Sequence, residues 1–107
     1  MIMTLDEIQK EIDSHDIVLF MKGTPTFPQC GFSAHVIALL AAEGVSYTTH
    51  DVLSDDALRS NIKKFSDWPT IPQLYIRGEF IGGADIVHEM ADNGELSRVL
   101  QPQGYGF

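Results

Sequence analysis

Cysteine is the scarcest chemically useful residue in this 107-residue chain, which holds only Cys30. With no partner in the chain, Cys30 excludes an intramolecular disulfide, a zinc site of three or four cysteines, and an iron–sulfur cluster held by one chain alone. Basic residues are also few. Seven Lys and Arg stand against fifteen Asp and Glu, a net charge of −8, which argues against a nucleic-acid footprint or an anionic-membrane surface. No apolar run approaches the roughly 20 residues of a membrane span. Met1-Ile2-Met3-Thr4 lacks both a basic segment and a long apolar one, so no signal peptide is expected. These absences predict a cytoplasmic protein in a reducing compartment, where a free thiol persists.

What is present is an ordinary globular composition, 44% apolar and 21% charged, with six Phe, three Tyr and one Trp. The length predicts one domain over 1–107, with 101–107 as a short tail. Thr4 and Glu7 form a capping-box pattern, and Leu5, Ile8 and Ile12 share a helical face, predicting a first helix that ends near Ser14 to Asp16. Ile17-Val18-Leu19-Phe20-Met21 is an apolar run of strand length, suited to a central strand covered on both faces. Gly23, Pro25 and Pro28 make the following segment a loop. Phe32, Val36, Leu39 and Leu40 carry a helical period that stops at Gly44.

Ser46 to Asp51 reads as a strand, and Ser54 as the N-cap of a third helix with Leu58, Ile62 and Phe65 inward. Pro69 and Pro72 impose extended backbone on Trp68 and Ile71. Leu74 to Ile76 is a strand that turns through Arg77-Gly78-Glu79 into Phe80-Ile81. Gly82-Gly83 opens a fourth helix (Ile86, Val87, Met90) ending at Gly94, and Leu96, Val99 and Leu100 make a short fifth. This order requires parallel strands at the first, right-handed crossover and an antiparallel closing pair. The expected fold is an α/β three-layer sandwich of thioredoxin type, a four-stranded mixed sheet flanked by about five helices.

Cys30 falls between the loop and a helix N-terminus, where N–H groups and the helix dipole stabilise a thiolate. Such a sulfur is a nucleophile or a metal ligand. The competing reading is a small buried apolar residue. Pro28, Gln29 and Gly31 are not core residues, which favours the reactive thiol.

Lys22-Gly23, Cys30-Gly31-Phe32-Ser33, Trp68-Pro69-Thr70-Ile71-Pro72 and Gly82-Gly83-Ala84-Asp85 occur in that order. Together they resemble a monothiol glutaredoxin of the Cys-Gly-Phe-Ser class, of the bacterial single-domain type, from about Thr4 to Leu100. The resemblance implies a glutathione groove beside Cys30. It assigns Lys22 and Arg59 to the glycine-end carboxylate, with Lys63 a neighbour one turn along the same helix face. Read without it, Arg59, Lys63 and Lys64 are a solvated helix face. It also implies a cis bond before Pro72 that turns the Ile71 backbone toward the tripeptide. Ala84 and Asp85 take the γ-glutamyl end, although Asp85 also reads as a simple helix cap and Trp68 as packing. Many relatives carry a cysteine at the place of Ala84, and Ser33 stands where dithiol relatives place their resolving cysteine. His15, His35, His50 and His88 show no metal-ligand spacing and read as surface or packing residues.

Two functions compete. A [2Fe–2S] cluster needs four thiolates. By resemblance, one Cys30 from each of two chains and two glutathiones supply them, giving a cluster-bridged homodimer with Cys30 as metal ligand. The cluster would pass to apo iron–sulfur recipients, and a BolA-type protein would replace one subunit in heteromers. In the alternative, Cys30 is the catalytic thiol of a glutathione-dependent oxidoreductase that reduces glutathionylated proteins.

Overall fold

The computed structural model describes residues 3–101; residues 102–107 of the expected tail lie outside the described residues. Thr4 starts helix α1 (Leu5–Ser14) with a complete capping box, its side chain accepting the Glu7 N–H while Glu7 reaches back to the Thr4 backbone. Then follow β1 (Ile17–Met21), α2 (Gly31–Glu43), β2 (Thr48–Asp51), α3 (Asp56–Ser66), β3 (Gln73–Ile76), β4 (Glu79–Gly82), α4 (Ala84–Asp92) and α5 (Glu95–Leu100). Strand order is β2-β1-β3-β4. The β1–β2 pair is parallel, with Leu19 opposite Thr49, and the other two pairs are antiparallel. The hairpin between β3 and β4 turns on Arg77 and Gly78, with φ of 48° and 83°. Two positive φ values in a two-residue turn match the right-handed twist of the flanking strands.

The three layers follow from the period of two along β1. Ile17, Leu19 and Met21 face one core with Val36, Leu40, Val87 and Leu96 of α2, α4 and α5. Val18 and Phe20 face the other, with Ile8, Ile12, Leu58 and Ile62 of α1 and α3. All five β1 residues are buried, and each aliphatic side chain so buried contributes about 1.5–3 kcal/mol.

Several sequence expectations are corrected. Strand β2 starts at Thr48, not Ser46. Asp55 caps α3, accepting the Leu58 N–H at 3.1 Å. Ser54 does not cap, because its hydroxyl donates to the Asp51 carbonyl at 2.8 Å. Phe32 does not join the core face of α2: it is 63% exposed, and the buried face runs through Ser33, Val36 and Leu40. Leu5 and Ile86 are likewise exposed, while Ile8 and Ile12, and Ala84 and Val87, are buried. All three exposed residues lie in the first turn of their helices, where the neighbouring layer covers only one side.

Candidate functional site

The segment after β1 folds back on itself. Thr24 N–H donates to the Phe27 carbonyl at 3.2 Å and Gln29 N–H to the Lys22 carbonyl at 2.9 Å. The Asp51 carboxylate accepts the Gly23 N–H at 2.9 Å and the Leu53 N–H at 2.8 Å, tying the loop to the end of β2. This loop delivers Cys30 to the N-cap of α2, where its carbonyl accepts the Ala34 N–H at 2.9 Å. The sulfur is partly exposed and closes no geometrically complete cap hydrogen bond, although the Phe32 and Ser33 N–H groups of the first turn stand on its side and act on its charge.

Partial burial, the largest single influence on the thiol, pushes its pKa up. The N–H groups of Ser33 and Phe32, the Ser33 hydroxyl and the Lys22 charge together outweigh it, so the pKa lies below the ordinary thiol value. Ser33 therefore has a positive role beyond not being a cysteine. Fully buried, its oxygen also accepts the Lys22 N–H at 3.1 Å, coupling the end of β1 to the start of α2. A depressed folded-state pKa stabilises the fold above the unfolded thiol pKa, and that contribution is lost as pH falls through the folded value. Alkylation of Cys30 by iodoacetamide should accordingly rise with a midpoint below that of a free thiol. Ser33→Ala should move that midpoint upward; an unchanged midpoint would remove Ser33 from thiolate stabilisation.

Beside the sulfur lies a cleft of about 350 Å³. Cys30, Lys22 and Phe32 line it from the β1–α2 side, and Lys63 from α3. Trp68, Thr70, Ile71 and Pro72 line it from the loop before β3, and Gly83, Ala84 and Asp85 from the start of α4. The Ile71–Pro72 peptide is cis. Gly83 packs closely here: a Cβ would stand 3.3 Å from the Pro72 carbonyl oxygen. Among the described residues neither Lys22 nor Lys63 is engaged in an ion pair, so both charges are available to an anion.

Gln73, fully buried, holds this loop in shape. Its Nε2 donates to the carbonyls of Trp68 and Thr70 at 3.2 and 3.1 Å, and its Oε1 accepts the Tyr75 hydroxyl at 3.1 Å. Both of its N–H donors and one acceptor position of its oxygen are spent on the site's architecture, which suits a buried amide. Sequence reasoning missed Gln73, and it named Ser33 only as the place of an absent cysteine, not for its buried hydroxyl. The available cue for Gln73 was an amide at the head of an otherwise apolar strand.

Of the residues singled out from sequence, Lys22, Cys30, Ile71, Ala84 and Asp85 converge on the cleft, and Lys63 joins them. Arg59 does not line it; one turn before Lys63, it is exposed. The histidines, three of them on different elements, meet polar partners. His35 and His88 lie 2.8 Å apart, and His50 and His15 both approach Glu11. Among the described residues no group of three or more His, Cys, Asp or Glu could hold a metal ion, and no helix is long and apolar enough to cross a membrane.

The Glutaredoxin family matches residues 17–81. A probable monothiol glutaredoxin 2 of Rickettsia typhi is 53% identical over 96 residues, covering 90% of this chain and 86% of that protein. Monothiol glutaredoxin-4 of Schizosaccharomyces pombe is 53% identical over 88 residues, and there the chain spans only 36% of the relative's length. Among solved structures, a monomeric truncated mutant of Trypanosoma brucei 1-C-Grx1 superposes with a TM-score of 0.84 at 45% identity, covering 94% of this chain and 91% of that one. The buckwheat glutaredoxin–glutathione complex gives 0.79 at 28% identity, covering 90% and 86%. With its lone thiol at the head of α2 and its thioredoxin-like sheet, the chain belongs to the glutaredoxin family, among the monothiol members.

Proposed function

We propose that this protein binds glutathione in the cleft and carries a [2Fe–2S] cluster between two copies of itself for delivery to apo iron–sulfur proteins of the cytoplasm. The observation that carries the reading is the single thiolate, partly exposed and stabilised, beside a cleft with no second thiol. A volume of about 350 Å³ suits a small ligand, and a buckwheat relative is known as a glutathione complex. Glutathione presents two carboxylates and one ammonium. Lys22 and Lys63, with Arg59 one turn away, offer cations for the glycine-end carboxylate. The first turn of α4 offers N–H groups at Ala84 and Asp85, and the Asp85 carboxylate meets the ammonium.

Cys30 also fits a cluster ligand, since iron takes the thiolate and the surrounding donors favour that form. One thiolate per chain and four per cluster leave the remainder to a second copy and two glutathiones. Non-covalently held glutathione makes the cargo releasable. A BolA-type protein in place of the second copy is the heteromeric version of the same arithmetic.

The test is anaerobic reconstitution with iron, sulfide and glutathione. A coloured dimer that forms only with glutathione is expected; a colourless protein or a coloured monomer would sink the proposal. The lowered thiol pKa also suits thiol–disulfide exchange, in which Cys30 takes glutathione from a mixed disulfide and a second glutathione resolves it. Slow turnover of a glutathione mixed disulfide relative to a dithiol glutaredoxin is expected, and brisk turnover would favour the oxidoreductase.

A further inference from the structure

A second depression, about 550 Å³, adjoins Cys30 and is lined by Phe32, His35, Asp85 and His88 among others. His35 on α2 and His88 on α4 are both exposed, and His35 Nε2 lies 2.8 Å from His88 Nδ1, with ring centres 4.9 Å apart. His88 Nε2 in turn lies 3.3 Å from Asp92 Oδ2. A carboxylate there accepts the Nε2–H and leaves the Nδ1 lone pair facing His35, so His35 Nε2–H is the donor between the rings. This is the carboxylate–imidazole arrangement that orients metal-ligating histidines.

Two imidazoles on one tetrahedral ion have nitrogens about 3.3 Å apart. Relative to the observed 2.8 Å hydrogen bond, the nitrogens must separate by about half an ångström and both rings must turn by about 35° so that their lone pairs converge on the ion, movements that exposed side chains can make. Neither α2 nor α4 carries Lys or Arg, while α4 carries Asp85, Glu89 and Asp92, so the local field attracts a cation. We propose that His35 Nε2 and His88 Nδ1 form a site for a divalent transition cation of borderline softness, with Zn²⁺ as its probe. His35 moves its ring proton to Nδ1 on binding, with no net proton lost. Two protein ligands leave the other positions to water or to an incoming group, an open site beside the thiol.

The test titrates Zn²⁺ into the full reduced chain and into Cys30→Ser, against a chromophoric chelator and with long-range ¹H–¹⁵N spectra of the imidazoles. One ion per chain is expected in both proteins, with His35 Nε2 and His88 Nδ1 as the shifted ring nitrogens. His35→Ala and His88→Ala should each weaken binding at least tenfold, and Asp92→Asn by about tenfold or more. Loss of all binding in Cys30→Ser, or unchanged binding in both histidine variants, overturns the site and leaves a plain hydrogen bond between helices. If a variant fails to fold by circular dichroism, the ring-nitrogen shifts of the unmodified chain decide alone.

Discussion

Cys30→Ser should abolish the glutathione-dependent chromophore and all mixed-disulfide chemistry while leaving the fold intact. The sulfur closes no geometrically complete cap hydrogen bond, and the residue occupies an N-cap, where serine is a preferred residue. Thermal stability should therefore stay level or rise slightly. Chemistry is lost because a serine hydroxyl does not ionise near neutral pH, so neither iron nor a disulfide sulfur finds a thiolate. Nothing in the chain can compensate, because Cys30 is the only cysteine and the rest of the cleft, Ala84 included, carries no thiol. The measurement pairs a reconstitution spectrum with a melting curve. A coloured dimer from Cys30→Ser would mean that the cluster is held elsewhere.

Gly23→Ala should be the most damaging small substitution in the site. Gly23 has φ of 92°, where an L side chain costs about 1–2 kcal/mol. Its Cβ would also stand 2.5 Å from the Phe27 carbonyl oxygen and 2.7 Å from the Gln29 nitrogen. Both are backbone atoms of the loop that delivers Cys30, so relief requires displacing that loop. A loss of roughly 3 kcal/mol follows from conformational strain and overpacking together. For a domain of this size that is a fall in Tm of about 12 °C or more. The loop shift should also slow Cys30 alkylation at neutral pH, by moving the thiol away from the Ser33 donors. Gly31→Ala is the control, since beyond its chain neighbours and its own helix backbone no heavy atom lies within 4 Å of its would-be Cβ. As the first residue of α2 it should gain a few tenths of a kcal/mol in helix propensity. Equal melting temperatures for the two variants would refute the steric account.

Much of the site was legible because its signals are local. Glycine pairs, prolines and the loop-to-helix junction at Cys30 act over a few residues, and each lies where its own backbone preference puts it. The cleft's members come from four separate stretches, and only family resemblance connected them in sequence. Lys63, rather than the better-matched Arg59, lines the cleft, because the rotation of α3 is set by burying Leu58 and Ile62 against the sheet. Phe32 and Ser33 exchanged expected places for the same reason. Packing of Val36 and Leu40 decides which side of the first turn faces inward, and a hydroxyl can take the inward position because the Lys22 N–H needs an acceptor.

By itself the sequence determined the order and type of the elements, through periods of 2 and 3.6 that a chain imposes locally. It also determined the thiol's setting and the stoichiometry of one protein thiolate per chain. Tertiary structure alone decided the strand order β2-β1-β3-β4, the Gln73 clamp under the cis-proline loop and the meeting of His35 with His88. The strand pairings and the histidine pair join residues distant along the chain, whereas the clamp closes over only three and five residues. Burial and the satisfaction of enclosed polar groups select the strand pairings and the clamp, and the packing of α2 beside α4 brings the two exposed histidines together; none of this exists until the layers close.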